Sequence, residues 1–287
     1  MKKLFLILSL MILGSVQAFA ACDYSNYCAP KSYDLCSKGS QITSKITGMT
    51  FLSEKIAQAV IGRELKKATK ERFKVKMKTY SLSDLVQGRF KSLEISGKNL
   101  EIEGVYLSKL DIKTVCPFNY VELNKNYVKF RENMVMEFKT EISDSDLRKT
   151  IQSTGYLDKL NKTNLSALGI TFFKLSGADV WIKNNKVYFT IKVTSPMSSS
   201  PIPITVRSDL KVEDGQIVMT KLDLANIYTV IDLSKVTYLV NALNPLTFSM
   251  DVLNNKNSKM SIKTVNIIGD KIEIAGNILV PKNTGKK

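Results

Sequence analysis

This sequence predicts an α+β domain dominated by antiparallel sheet, and three observations lead there. The apolar spacing changes at Phe73 from a period near four to a period of two, the step from helix to strand. About ten alternating segments follow, with only about three helical stretches in all. No domain boundary is read inside residues 45–281, so the reading is one domain followed by a basic tail, 282–287.

Residues 1–20 read as a secretory signal peptide. Lys2 and Lys3 give a positive start, Leu4 to Leu13 are apolar apart from Ser9, and Ala18-Phe19-Ala20 is a small-x-small cleavage site. About ten apolar residues are too few to span a bilayer. The expected location is therefore the periplasm or cell envelope. Cys22 offers a lipoprotein reading, since a lipobox also ends just before a cysteine. Ala20 and Ala21 suit it, while Phe19 stands where leucine is usual. Residues 21–44 are polar, aperiodic and hold Cys22, Cys28 and Cys36, with Cys116 further on. In an oxidising compartment these four are disulfide candidates with three possible connectivities, and full pairing ties Cys116 to the N-terminal segment.

Thr50 to about Lys70 reads as a helix, because Ala57, Ile61, Leu65 and Ala68 step by four, four and three, with Ile56 and Val60 beside them. Lys55, Arg63, Lys66, Lys67 and Lys70 take the other side, and the apolar stripe is expected to pack on the sheet. Phe73, Val75 and Met77 alternate with lysines. Between Leu85 and Lys113 the pairs Leu93/Ile95, Leu100/Ile102, Val105/Leu107 and Leu110/Ile112 sit two apart, punctuated by Gly88, Gly97 and Gly104. A hairpin spans Val128 to Phe138. Ser143-x-x-Asp146 resembles a capping box opening a short helix with Leu147 and Ile151, closed near Gly155. Tyr156 to Leu168 reads as irregular or weakly helical. Hairpins turn at Asn184-Asn185 and Asp214-Gly215. A helix over Leu233 to Leu243 stops at Asn244-Pro245, and strands follow over Phe248 to Val252, Met260 to Ile268 and Lys271 to Val280.

Removing the signal leaves 287 − 20 = 267 residues and a charge of about 16 − 2 = +14. Outside the cytoplasm such a charge points to anionic membrane surfaces. No nucleic acid is expected as partner, because the lysines are spread and form no aromatic-flanked basic block. Histidine is absent, which excludes Ser-His-Asp and Cys-His machinery, His-ligated zinc and imidazole bases. No spacing advertises a carboxylate pair, a Ser-Lys dyad or a metal site. The expectation is no enzyme, no catalytic residues, no metal and no cofactor.

The run from Asp84 through Leu85, Gly88, Gly97, Leu100 and Leu107 resembles the LmeA-like phospholipid-binding family of exported bacterial proteins, over roughly residues 50–150. Asn244-Pro245-Leu246 is loosely similar to that family's later region, whereas the cysteine segment departs from its pattern. The resemblance implies a tubular lipid-binding fold, a strongly curved antiparallel sheet wrapped around a long amphipathic helix, with about two further short helices. Acyl chains of a phospholipid or other acyl lipid would lie in the apolar seam. Physics then nominates Ile56, Val60, Ile61 and Leu65 on the helix, with Leu93, Ile95, Leu100, Ile102, Leu107 and Leu110 opposite, as both core and lipid-binding candidates. Ten methylenes in such a seam contribute about 8 kcal/mol relative to water. A lipid in a bilayer is already dry, so exchange is nearly balanced, which suits a carrier. The rival expectation is an envelope assembly or adhesion module with a dry β core.

Overall fold

The computed structural model describes residues 24–28, 35, 49–123, 128–163, 174–194, 200–225, 233–253 and 258–283. The expected signal peptide, Cys22, Cys36 and residues 284–287 lie outside them.

Among the described residues, a 3₁₀ turn at Tyr24–Tyr27 precedes six α-helices and thirteen strands. They run α1 (Met49–Thr69), β1 (Phe73–Lys78), α2 (Leu82–Val86), β2 (Arg89–Phe90), β3 (Ser92–Ile102), β4 (Val105–Thr114), β5 (Asn119–Leu123), β6 (Val128–Phe130) and β7 (Met134–Ser143). Then come α3 (Asp144–Ile151), α4 (Thr154–Lys162), β8 (Lys174–Lys183), β9 (Lys186–Thr194), β10 (Ile202–Glu213), β11 (Gln216–Leu224), α5 (Leu233–Ala242), α6 (Pro245–Leu253), β12 (Lys259–Ile268) and β13 (Lys271–Val280).

The strands form a six-stranded antiparallel sheet in the order β1-β3-β4-β7-β13-β12, a four-stranded sheet β11-β10-β9-β8, and a small sheet β2-β5-β6. The short helix α3 touches β4 and β7 of the large sheet and β8 of the second, with α4 and α6 beside it. Its capping box is as the sequence reads it: the Ser143 hydroxyl accepts from the Asp146 N–H, and the Asp146 carboxylate accepts from the Ser143 N–H. Leu147 and Ile151 of α3, Tyr156 and Leu160 of α4 and Leu246 of α6 share one core with Leu107 and Ile142 on one sheet and Val180 and Phe189 on the other.

This corrects the predicted class. Among the described residues the fold is mostly sheet, with strand outweighing helix 52% to 28%. No sheet wraps a long amphipathic helix: short helices fill the space between sheets, and α1 lies along the border strand β1. The physical reason is volume. Two apolar sheet faces bury each other through α3, α4 and α6, so the interior needs no long central helix.

Three smaller differences stand out. Phe248 to Val252 is helical, not a strand. Pro245 is the first helical residue of α6, and the Asn244 side chain accepts from the Leu246 N–H at 3.0 Å. The same Asn-Pro pair thus ends α5 and starts α6. The first part of the Tyr156 to Leu168 stretch is the regular helix α4, capped by Ser153. Gly97 does not break β3, which runs on as one strand while its inward phase passes from Ile95 to Leu100 across Asn99, at φ 52°.

Several border strands are closed by side chains. Asn241 of α5 accepts from the Met219 N–H at 2.8 Å and donates to the Met219 carbonyl at 3.3 Å, as a neighbouring strand would. On β8, Asp144 accepts from the Ile182 N–H and Arg148 donates to the Val180 carbonyl. Alongside β1, Gln58 donates to the Met77 carbonyl and Glu54 accepts from the Thr79 N–H.

Cys28 and Cys116 form a disulfide across 88 residues of sequence, packed against Val135 and Leu279. Of the predicted pairings, this one ties the N-terminal segment to the domain. It points to an oxidising, exported compartment.

Candidate functional site

The strongest candidate is the outward side of α1. Ala57, Ile61 and Leu65 pack toward the core, and Ser53 and Glu64 are also buried. At 3.6 residues per turn, Phe51, Leu52, Lys55, Ile56, Ala59, Val60, Arg63, Lys66 and Lys67 all fall within the remaining half-circle of about 180°. Phe51 is 65% exposed, Leu52 56%, Ile56 57% and Val60 46%. Four large apolar side chains along two to three turns of one helix make a patch, not the scattered exposure of an ordinary surface. The adjoining helix α2 adds a further exposed apolar side chain, Val86.

Along α1 the two chemistries separate. The apolar residues occupy the N-terminal half, and Arg63, Lys66 and Lys67 the C-terminal half. Lys55 lies over the Phe51 ring, 5.4 Å from its centre. Lys67 pairs with the buried Glu64 at 2.8 Å. Both helix carboxylates, Glu54 and Glu64, face inward, so the outward half carries cations and no anion.

Helix α2 is held by the turn that follows β1. Ser81 caps it and donates to the fully buried Asp84 at 2.6 Å, and Arg89 stands 3.8 Å from the same carboxylate while stacking on Tyr120. The Leu85 to Phe90 run therefore has a local structural task, fixing α2 and β2 beside α1.

The ten predicted lipid-contact residues divide. Leu65, Ile95, Leu100, Ile102, Leu107 and Leu110 are buried in the core, and Ile61 and Leu93 pack against it half-buried. Ile56 and Val60 do not face the sheet; they point away from it. Nothing in the sequence distinguishes them from Ile61, because a broad apolar stripe does not say which of its edges meets the sheet. Phe51 and Leu52 escaped the sequence reading because they precede the periodic stripe; the missed signal was an apolar pair in the first turn of a basic helix.

Two other places gather charged side chains. A polar cleft of about 340 Å³ on the outer face of the large sheet is lined by Lys109, Asp111, Lys139, Glu141, Glu273 and neighbours. Lys109 joins Asp111 at 3.0 Å and Glu141 at 3.4 Å, so this is a cross-strand charge lattice on a solvated face. Between α4 and α6, Lys159 and Asp251 stand 3.9 Å apart; burial pushes the lysine down and the carboxyl up from their ordinary values. Among the described residues no group of His, Cys, Asp or Glu is arranged to hold a metal ion. Likewise no described helix is long and apolar enough to cross a membrane.

Comparison with known proteins returned nothing: no protein-family model, no curated protein and no solved structure matches this chain.

Proposed function

We propose that this chain is an exported, non-enzymatic protein of the bacterial periplasm or cell envelope that binds phospholipid, through the outward side of α1. The observation that carries this reading is the exposure of Phe51, Leu52, Ile56 and Val60 on a helix whose remaining outward residues are small or basic. Such a helix enters a membrane interface with its apolar side among the acyl chains and its charges at headgroup level. The likeness of residues 50–150 to LmeA-like proteins supports lipid as the ligand from the sequence side. The site differs from the seam expected there, because six of the ten nominated side chains are committed to the protein's own core.

Magnitudes define the kind of binding. Fully burying one such side chain contributes about 1.5–3 kcal/mol, and these four are already near half-covered. Together they supply about 3–6 kcal/mol, comparable to one short acyl anchor. That gives reversible visiting of a membrane, as a carrier or sensor needs.

One observation favours the dry assembly module as the second reading. The largest fully buried side chains, among them Tyr156, Phe189, Met136 and Met219, fill the space between the sheets. On that reading the α1 patch takes a protein partner. Flotation of the purified protein with phospholipid vesicles separates the two: co-migration that Ile56→Glu/Val60→Glu abolishes supports lipid binding, and failure to float with any vesicle removes it.

A further inference from the structure

The apolar contribution of α1 is marginal alone, and stable interfacial binding takes a second signal. Across this helix and the strand β1 that it packs on, the second signal is charge. Between Met49 and Lys78 there are nine basic residues (Lys55, Arg63, Lys66, Lys67, Lys70, Arg72, Lys74, Lys76, Lys78) and three acidic ones (Glu54, Glu64, Glu71). The balance, 9 − 3 = +6, places over a third of the chain's net charge of +16 in 30 of its 287 residues. The acids are occupied: Glu64 with Lys67, Glu54 with the Thr79 N–H and hydroxyl, Glu71 with the Glu101 N–H. Arg63 and Lys66 are exposed and meet no carboxylate among the described residues.

Resting on the lipid-binding reading, we infer that the α1 surface docks on anionic bilayers, with Phe51, Leu52, Ile56 and Val60 entering the interface and Arg63 and Lys66 meeting anionic headgroups. The linear order of the two chemistries sets the orientation. The N-terminal half of α1 sits deeper and the helix axis tilts, because a flat helix would drag the basic half below headgroup level. Lys55, inside the apolar half, has its ammonium over the Phe51 ring, and its long stem lets that ammonium reach headgroup depth when the ring enters the interface. The attraction of each cation to a negatively charged leaflet is worth roughly fivefold in partitioning, and salt screens it within a Debye length.

The test is sedimentation of the full mature chain with vesicles of zwitterionic phospholipid alone, and with vesicles in which roughly one-third is anionic. The expected result is strong binding to the second set, weak binding to the first, and loss of the difference as salt is raised. Arg63→Glu/Lys66→Glu is expected to weaken partitioning onto anionic vesicles at least roughly twentyfold, and so to remove the difference between the two vesicle types. The milder Arg63→Gln/Lys66→Gln shows the same direction, and both sites are exposed, so the melting temperature should hold. Equal binding to both vesicle types, or charge reversal without effect, overturns anionic docking while leaving lipid binding standing. Binding to neither vesicle type overturns both and turns the patch toward a protein partner.

Discussion

Gly88 has no room for a side chain. Its φ is +83°, and a Cβ built there would lie 1.8 Å from the Val121 carbonyl oxygen, so β2 approaches β5 backbone to backbone. Gly88→Ala should therefore cost at least about 3 kcal/mol in chemical denaturation, combining left-handed strain with a forced separation of strands. Gly269, also at positive φ, has nothing within 4 Å of a built Cβ, so Gly269→Ala should cost only the strain, about 1 kcal/mol. Asp209 carries a pH prediction. Hydrogen bonding from Lys186, aided by Lys221, holds its carboxyl below the ordinary value. A depressed folded value means the stabilisation is fully present above the unfolded pKa of about 3.9 and is lost as pH falls through the folded one. The stability difference between the wild type and Asp209→Asn should hold at neutral pH and shrink in acid below about 4, read by urea melts.

At the scale of elements, the side chains closing the sheet borders carry the next prediction. Asn241 meets both the N–H and the carbonyl of Met219. Asn241→Ala removes both partners and should cost about 1–3 kcal/mol, with faster hydrogen exchange at the Met219 amide. The elements most legible in the sequence are the hairpins, because their turns demand particular residues. Asn184-Asn185 and Asp214-Gly215 all adopt positive φ, the conformation that tight two-residue turns require. Helix α6 was illegible for a reason equally physical. Leu246, Phe248, Ser249 and Met250 are all buried and only Thr247 and Asp251 are partly open to solvent among the described side chains, and with so narrow a polar face a short apolar run reads as strand. The candidate site was half legible. Ile56 and Val60 stood out as apolar residues of a basic helix, but orientation is decided by what lies across from α1. That is the narrow border strand β1, able to cover only one side of the helix.

For the whole molecule, the Cys28–Cys116 bond is the main covalent constraint among the described residues. Closing a loop of 88 residues is worth up to about 4.6 kcal/mol in chain entropy, so Cys28→Ser should lower the melting temperature, and reductant should lower that of the wild type toward it. The global architecture was the least legible level. Alternating strands announced antiparallel sheet, but whether their apolar faces close on one helix or on each other depends on contacts far apart in sequence, such as α3 against both β4 and β8. The same disulfide bears on biogenesis. In a chain that crosses a membrane amino end first, Cys22, Cys28 and Cys36 arrive together, long before Cys116. Thiols that meet early pair early, and two of the three bridges these can form would occupy Cys28 before its partner Cys116 arrives. Maturation then calls for an exchange catalyst, and a host lacking disulfide isomerase should accumulate mispaired, protease-sensitive forms of this protein.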